Sequence, residues 1–296
     1  MKKVWLITGS SRGLGRSLTA AVLANGDLVA ATARNVVHLN DLAEKYPDQL
    51  LAVTLDVRNE AQIHAAVKQI MAHFGRIDML VNNAGFGITG AAEAFTPEQV
   101  RSQLETNLYG PIDVTRAVLP YMRKQRSGRI LQISSIGGRV GGAGLTIYQA
   151  AKFGLSGFSE GLNKEVAHLG IKVTSIEPGG FRTDWAGASM SYAEPVEGYE
   201  STVGEVTNFL SSGTFVPMGD PVKAAKVMIE LADHPHPPMH LVLGSEAISI
   251  LKIADKNRQA ELEEWLPVST STDHDDGENF LETEEGKKYL AVKGII

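Results

Sequence analysis

The 296-residue chain contains no cysteine. That absence excludes disulfides, thiolate metal sites and cysteine nucleophiles together. Long apolar runs are missing as well. The opening MKKVWLITG carries two lysines ahead of an apolar stretch too short for a signal-peptide core, and no later stretch approaches the length of a membrane span. The expectation is a cytoplasmic protein with no membrane span. Surplus positive charge is also lacking: 28 Lys and Arg stand against 34 Asp and Glu, a net charge of −6. Binding a nucleic-acid backbone needs a basic surface, so nucleic acid is not an expected partner. Aromatic residues are few, at 6%, yet 43% of the chain is hydrophobic and 21% charged, the balance of a globular protein with a substantial core.

What is present is an alternation of short apolar runs with longer amphipathic stretches. KVWLIT, DLVAATA, LLAVTLDV, IDMLVNNAG, GRILQISS, IKVTSIEP and HLVLG read as strands. Between them, helices are expected over 14–25, 37–46, 61–74, 98–123, the stretch carrying Tyr148, and 221–232, with a last one over 246–265. Such alternation implies a parallel sheet of about seven strands with helices on both faces and right-handed crossovers. No linker and no internal repeat interrupts it, so a single α/β domain is expected over 1–266, followed by an extension over 267–296.

Two segments break the rhythm. Asp184 to Phe215 is rich in Gly, Ser and Thr, and sits where a mobile cover could lie over a pocket beyond the strand ends. The final thirty positions hold seven acidic and three basic residues. DHDDGENFLETE within them has its glycine one place too early for a calcium loop, and a solvated tail is expected. His234, His236 and His240 cluster in DHPHPPMH, but the intervening prolines favour an extended loop, and no metal site is expected.

Chemistry enters with TGSSRGLG, Thr8 to Gly15, directly after the first strand. Gly9, Gly13 and Gly15 permit a tight turn and close ligand approach, and the free amides of the helix start attract a pyrophosphate. Asp56, just beyond the third strand, is placed to accept an adenine amino group. NNAG, Asn82 to Gly85, ends the fourth strand with amides suited to bonds with neighbouring strands. Tyr148 and Lys152 lie four apart in IYQAAKFGLSGF, about 40° around a helix, so phenol and ammonium emerge together. A nearby cation favours a phenolate, and Lys152 is expected to make Tyr148 unusually acidic. Ala150, Ala151 and Gly154 allow that helix close packing.

TGSSRGLG, NNAG, ETNLYG, ISSIGG, YQAAK and EPGGFRTD, in this order and spacing, resemble the motifs of the short-chain dehydrogenase/reductase family over about residues 3 to 266. The resemblance implies a Rossmann-type fold and a catalytic tetrad of Asn107, Ser135, Tyr148 and Lys152, with Ser135 preferred to Ser134 because the family's serine lies thirteen residues before the tyrosine. It implies that Tyr148 exchanges a proton with a carbonyl or alcohol oxygen, that Ser135 bonds that oxygen, that Lys152 also binds the nicotinamide ribose, and that Asn107 holds a water near the lysine. The implied cofactor contacts are Gly9, Ser11, Arg12, Gly13, Leu14, Gly15, Arg34, Asp56, Val57, Asn83, Ala84, Gly85, Tyr148, Lys152, Pro178, Gly179 and Thr183.

After the second strand, Ala33 and Arg34 stand where a chain preferring NAD usually shows a carboxylate, and Arg34 with Arg12 offers guanidiniums to a 2′-phosphate. NADP(H) is therefore the expected cofactor. The expected substrate is a ketone, aldehyde or alcohol with apolar bulk, in the style of the steroid- and retinol-acting branch, with a homodimer slightly preferred. A non-catalytic nucleotide sensor and a lyase or epimerase using the cofactor transiently are the alternatives.

Overall fold

The computed structural model describes residues 2–183, 185, 189–212, 216–274 and 279–295. Asp184 and Phe215, the ends of the expected cover, and Asp275 to Glu278 of the acidic tail lie outside the described residues. The chain divides into two compact units, Met1–Ile248 and Ser249–Ile296.

The first unit opens with β1 (Val4–Ile7), α1 (Gly13–Ala24), β2 (Leu28–Ala33), α2 (Asn40–Lys45), β3 (Leu50–Thr54), α3 (Glu60–Phe74) and β4 (Met79–Asn82). It continues with β5 (Gly87–Thr89), α4 (Pro97–Leu104), α5 (Gly110–Gln125), β6 (Gly128–Ile133), α6 (Thr146–Val166) and β7 (Ile171–Pro178). There follow β8 (Met190–Tyr192), α7 (Glu205–Ser211), α8 (Pro221–Leu231), β9 (His240–Leu243) and the start of α9 (Ser245–Thr270). Seven strands form one parallel sheet in the order β3-β2-β1-β4-β6-β7-β9. The expected doubly wound α/β architecture is thus what the chain forms, with the order of strands reversing between β1 and β4.

Side chains alternate across the sheet because successive residues of a strand face opposite sides. Trp5 and Ile7 of β1 enter a core with Leu18 and Val22 of α1 and Ala225 and Met228 of α8. Leu6, between them, enters the other core with Ile63 and Ile70 of α3 and Val114 and Val118 of α5. Each fully buried Leu or Ile contributes roughly 1.5–3 kcal/mol of transfer free energy. Both faces being covered, the strands read as continuous apolar runs.

Two local features depart from expectation. The helix expected over 98–123 is split into α4, a π-helical turn at Glu105–Tyr109, and α5. A π-turn adds one residue to the loop closed by each hydrogen bond, a change that apolar periodicity does not register. A small second sheet also pairs β5 with β8 in parallel, Gly87 opposite Met190 and Thr89 opposite Tyr192. Three-residue strands carry too little alternation to be seen in the sequence.

The second unit contains most of α9, a 3-10 turn at Phe280–Glu282 and α10 (Glu284–Val292). The helix expected to end at Trp265 continues through Pro267 to Thr270. Thr283 caps α10 by accepting a hydrogen bond from the Gly286 amide at 3.0 Å.

α4 starts with a capping box: Thr96 Oγ1 accepts from the Gln99 amide at 3.2 Å, and Gln99 Oε1 accepts from the Thr96 amide at 2.9 Å. Thr96→Ala is expected to lower the unfolding free energy by about 1 kcal/mol, read as a lower urea midpoint at unchanged slope.

Candidate active site

The strand ends converge on one crevice at the point where the sheet order reverses. β1 leads through Thr8 into the glycine loop and then α1. Gly9 and Gly13 have φ of 68° and 56°, a left-handed conformation open to glycine without strain. A Cβ at Gly9 would lie 2.9 Å from Ala84 Cα, and one at Gly15 would lie 2.3 Å from Asn83 Nδ2. The loop is therefore shaped by contact with the NNAG segment. Thr8 Oγ1 accepts from the amides of Asn83 and Ala84 at 2.9 and 3.0 Å, while Asn83 Nδ2 donates to the carbonyls of Thr8 and Gly9. Arg12 gives α1 no side-chain cap and the first turn carries no acid, so the helix amides remain available to an anionic ligand. Ser11, Arg12 and Leu14 line this loop; Leu14 also packs against the core.

On the other side, Pro178 ends β7, and the Gly179 amide bonds the Leu243 carbonyl at 2.9 Å. Thr183 follows closely: a Cβ on Gly13 would be 3.6 Å from Thr183 Cβ, which brings the two ends of the cradle together. A nucleotide diphosphate fits these residues, with glycines where its backbone contacts would fall and uncapped amides facing it. Arg12 and Arg34 are exposed and form no ion pair with a described residue. Val57 is buried and packs beneath Gly110, whose added Cβ would lie 2.8 Å from Val57 Cγ2. Asp56 is engaged locally, both its oxygens meeting Arg58 at 2.6–3.2 Å, and this guanidinium holds the carboxyl below its usual range.

α6 brings in Tyr148 and Lys152. Tyr148, Ala151, Lys152, Leu155, Ser156 and Ser159 are its buried face, spaced three and four apart. Tyr148 is 6% exposed and Lys152 5%. Ser135 lies beside Tyr148, a Cβ added to Gly137 falling 3.4 Å from Ser135 Oγ and 3.5 Å from Tyr148 Cε1, and its Oγ accepts from the Gly137 amide at 3.0 Å. Ser134 points elsewhere, its hydroxyl bonded to the Lys152 carbonyl and Ser156 Oγ. Lys152 Nζ lies 5.7 Å from the Tyr148 ring centroid and donates to the Ile133 carbonyl at 2.7 Å. Asn107, carried by the π-turn, is buried; its side chain bonds both backbone groups of Phe86, donating at 2.7 Å and accepting at 3.1 Å. A Cβ added to Gly85 would sit 3.0 Å from Asn107 Oδ1 and 3.8 Å from Lys152 Nζ, so Gly85, Asn107 and Lys152 meet at one point. Gly154 lets α6 approach Leu108 of the same turn, an added Cβ falling 3.1 Å from that side chain.

The electrostatics correct the expectation that Lys152 makes Tyr148 unusually acidic. Burial pushes the Tyr148 hydroxyl up to about 12, opposed only in part by the neighbouring Ser135 hydroxyl. Burial equally draws the Lys152 ammonium down to about 8. Sequence spacing shows that the two groups are neighbours; it does not show that both are out of water, and desolvation penalises the charged form of each. The phenol is a stable proton donor at neutral pH, beside an ammonium that retains most of its charge.

A model of short chain dehydrogenases matches residues 3–192. The oxidoreductase BOA17 of Botryotinia fuckeliana is 42% identical over 92% of this chain and 100% of its own length. The chain belongs to the short-chain dehydrogenase family. A short-chain dehydrogenase from Streptomyces avermitilis of known structure is 40% identical, with a TM-score of 0.88 over 93% of this chain and 100% of that one. ElxO, solved with NADP bound, shares 26% identity and a TM-score of 0.71 over 84% of this chain and 100% of its own.

Within this short-chain dehydrogenase, two side chains at the site escaped sequence reasoning. Trp185 packs edge-on against Tyr148, ring centroids 5.5 Å apart. Glu177, next to Pro178, is wholly buried. Each lies in or beside EPGGFRTD, and a carboxylate within a central strand, just before Pro178, is the available signal for Glu177. Among the described residues no group of three or more metal-binding side chains occurs, and no helix is long and apolar enough to cross a membrane. His236 donates its amide to His234 Nδ1, while His240 turns inward to Glu177.

The lowered Lys152 value has a signed consequence for stability. Between about 8 and 10.5 the unfolded chain holds this proton and the folded chain does not, so the unfolding free energy rises with pH across that window. The rise is on the order of 3 kcal/mol. Tyr148 acts oppositely, its stabilising share being lost from pH 10 towards 12. In Lys152→Met the rise between pH 8 and 10 is expected to disappear, as measured by urea unfolding at a series of pH values.

Proposed function

We propose that the protein interconverts a ketone or aldehyde and the corresponding alcohol with NADP(H), Tyr148 carrying the proton. The observation that carries this reading is the buried Tyr148 beside Ser135, with Lys152 Nζ 5.7 Å from its ring centroid. When bound, the nicotinamide supplies hydride to the carbonyl carbon in reduction and takes it back in oxidation. As negative charge develops on the carbonyl oxygen, the Tyr148 O–H bond breaks and the proton passes to that oxygen, giving the alcohol. Ser135 donates a hydrogen bond to the same oxygen. Lys152 stabilises the tyrosinate left behind, an interaction stronger after proton transfer than before it. A phenol held near 12 is fully protonated at neutral pH, and its proton leaves only because the developing alkoxide is the stronger base.

Arg12 and Arg34 support the choice of NADP(H): both are exposed at the mouth of the cradle, β2 ends in Ala33 with no carboxylate, and ElxO, similar to this chain, binds NADP. Apolar bulk in the substrate fits the walls beside Tyr148. Trp185 covers one side of the phenol. Met190 packs at Gly87, where an added Cβ would lie 3.0 Å from its sulfur and 3.3 Å from Trp185 Cζ2.

A screen of ketones, aldehydes and alcohols with both coenzymes tests the reading, and Tyr148→Phe is expected to lower kcat by about 10²–10⁴-fold with coenzyme binding retained. Turnover that survives in that variant would refute the proposal. Arg34→Asp is expected to weaken NADPH binding at least about tenfold more than NADH binding, from loss of a charge-assisted phosphate contact; calorimetric titration measures both. Because Lys152 releases its proton at about 8, kcat/KM for reduction is expected to fall as pH rises through that value, and the inflection to be absent in Lys152→Met.

A further inference from the structure

Glu177 has a fully buried side chain, 0% exposed, in the position before Pro178. A carboxylate in that situation requires compensation. It finds three partners. Oε2 accepts from Arg139 Nη1 at 3.2 Å, and Oε1 accepts from Ser175 Oγ at 3.1 Å and lies 2.6 Å from His240 Nδ1. The second ring nitrogen of His240, Nε2, is 3.0 Å from Glu160 Oε1. With a carboxylate oxygen at each nitrogen, the imidazole donates to one carboxylate in either neutral tautomer and to both when protonated.

Two of these links lead to elements that carry Ser135 and Tyr148: Arg139 directly, and Glu160 by way of His240 of β9. Arg139 closes the short turn Ile136–Gly138 that follows Ser135, a turn held by Gly138 N to Ser135 O and Arg139 N to Ile136 O, both 2.9 Å. Glu160 lies on α6 about three turns beyond Tyr148 and about 120° around the helix from it, on the exposed side. Glu177 itself leads into the Pro178–Gly179 turn. One carboxylate therefore ties together the serine turn, the tyrosine helix and the end of β7.

We propose that Glu177 is a positioning residue for the reaction, acting through Arg139 on Ser135 and through His240 and Glu160 on α6. The proposal rests on the functional reading above only where it concerns turnover. Glu177 touches neither substrate nor Tyr148; it sets the distance between the Ser135 hydroxyl and the phenol. A reacting geometry tolerates little displacement, and a shift of about 1 Å can cost about 10²-fold in rate.

The test joins hydrogen exchange, which needs no turnover, to steady-state kinetics on the full chain. In Glu177→Gln the amides of Gly138, Arg139 and Val140 are expected to exchange at least about tenfold faster, those of β1 and β4 remaining as protected as in the parent. kcat is expected to fall at least about tenfold with KM for the coenzyme within about twofold, the split that marks loss of an interaction made in the transition state. Arg139→Gln is expected to reproduce both effects, Arg139→Lys to recover part of kcat, and the double variant to be no worse than the poorer single one, since the pair acts as a unit. Unchanged exchange in the turn, an unchanged kcat in an active enzyme, strictly additive losses, or faster exchange throughout the sheet would each overturn the assignment. Should Glu177→Gln fail to fold, Arg139→Gln and His240→Gln, at side chains 27% and 23% exposed, carry the same measurements. A parent that turns over no carbonyl or alcohol would sink the functional reading, and the exchange data would still decide whether the carboxylate holds the serine turn.

Discussion

β1 and β4 end at Ile7 and Asn82, yet the chain beyond them stays joined, and the glycine cradle is shaped by that joint. Thr8 and Asn83 exchange side-chain and backbone hydrogen bonds across the gap where the strand order reverses. These bonds replace the ladder that parallel pairing no longer supplies, and they force the glycine loop against NNAG so closely that Gly9 and Gly15 have no room for a side chain. The cradle is consequently held by bonds within the chain itself. A cradle so held loses little conformational freedom when a nucleotide enters, which is the physical meaning of preorganisation here.

The same economy of backbone governs the reacting groups. Tyr148 and Lys152 come from one face of one helix, Ser135 from the end of β6, and Asn107 from a helical turn of altered pitch. Withdrawing phenol and ammonium from water raises the energy of each charged form. In the reaction proposed above, the charge that matters is the one created during proton transfer, and in a dry pocket the lysine acts on it with little screening.

Much of this was legible in the residues, for reasons that can be named. Strand and helix order follows from apolar periodicity, because both faces of the sheet are covered. The cradle follows from glycine spacing, and the pairing of Tyr148 with Lys152 from helical geometry. What escaped detection depends on solvent exclusion or on very short range. The π-turn at Glu105–Tyr109 differs from an α-helix by one residue in its hydrogen-bond loop. β5 and β8 are three residues each. The acidity of Tyr148 was misjudged because adjacency is written in the sequence and dryness is not. The contact of Asp56 with Arg58, two places along, is a side-chain pairing that spacing alone does not reveal.

The pairing of β5 with β8 carries one more implication. Backbone bonds from Gly87 to the Ser189 carbonyl and from Ala193 to the Thr89 carbonyl fasten the strip containing Met190, and Ala193 fits over Gly90, where no Cβ intervenes. Main-chain stitching is indifferent to which residues it holds. Substitutions at 190–192 can thus reshape this strip while its main-chain anchorage is kept.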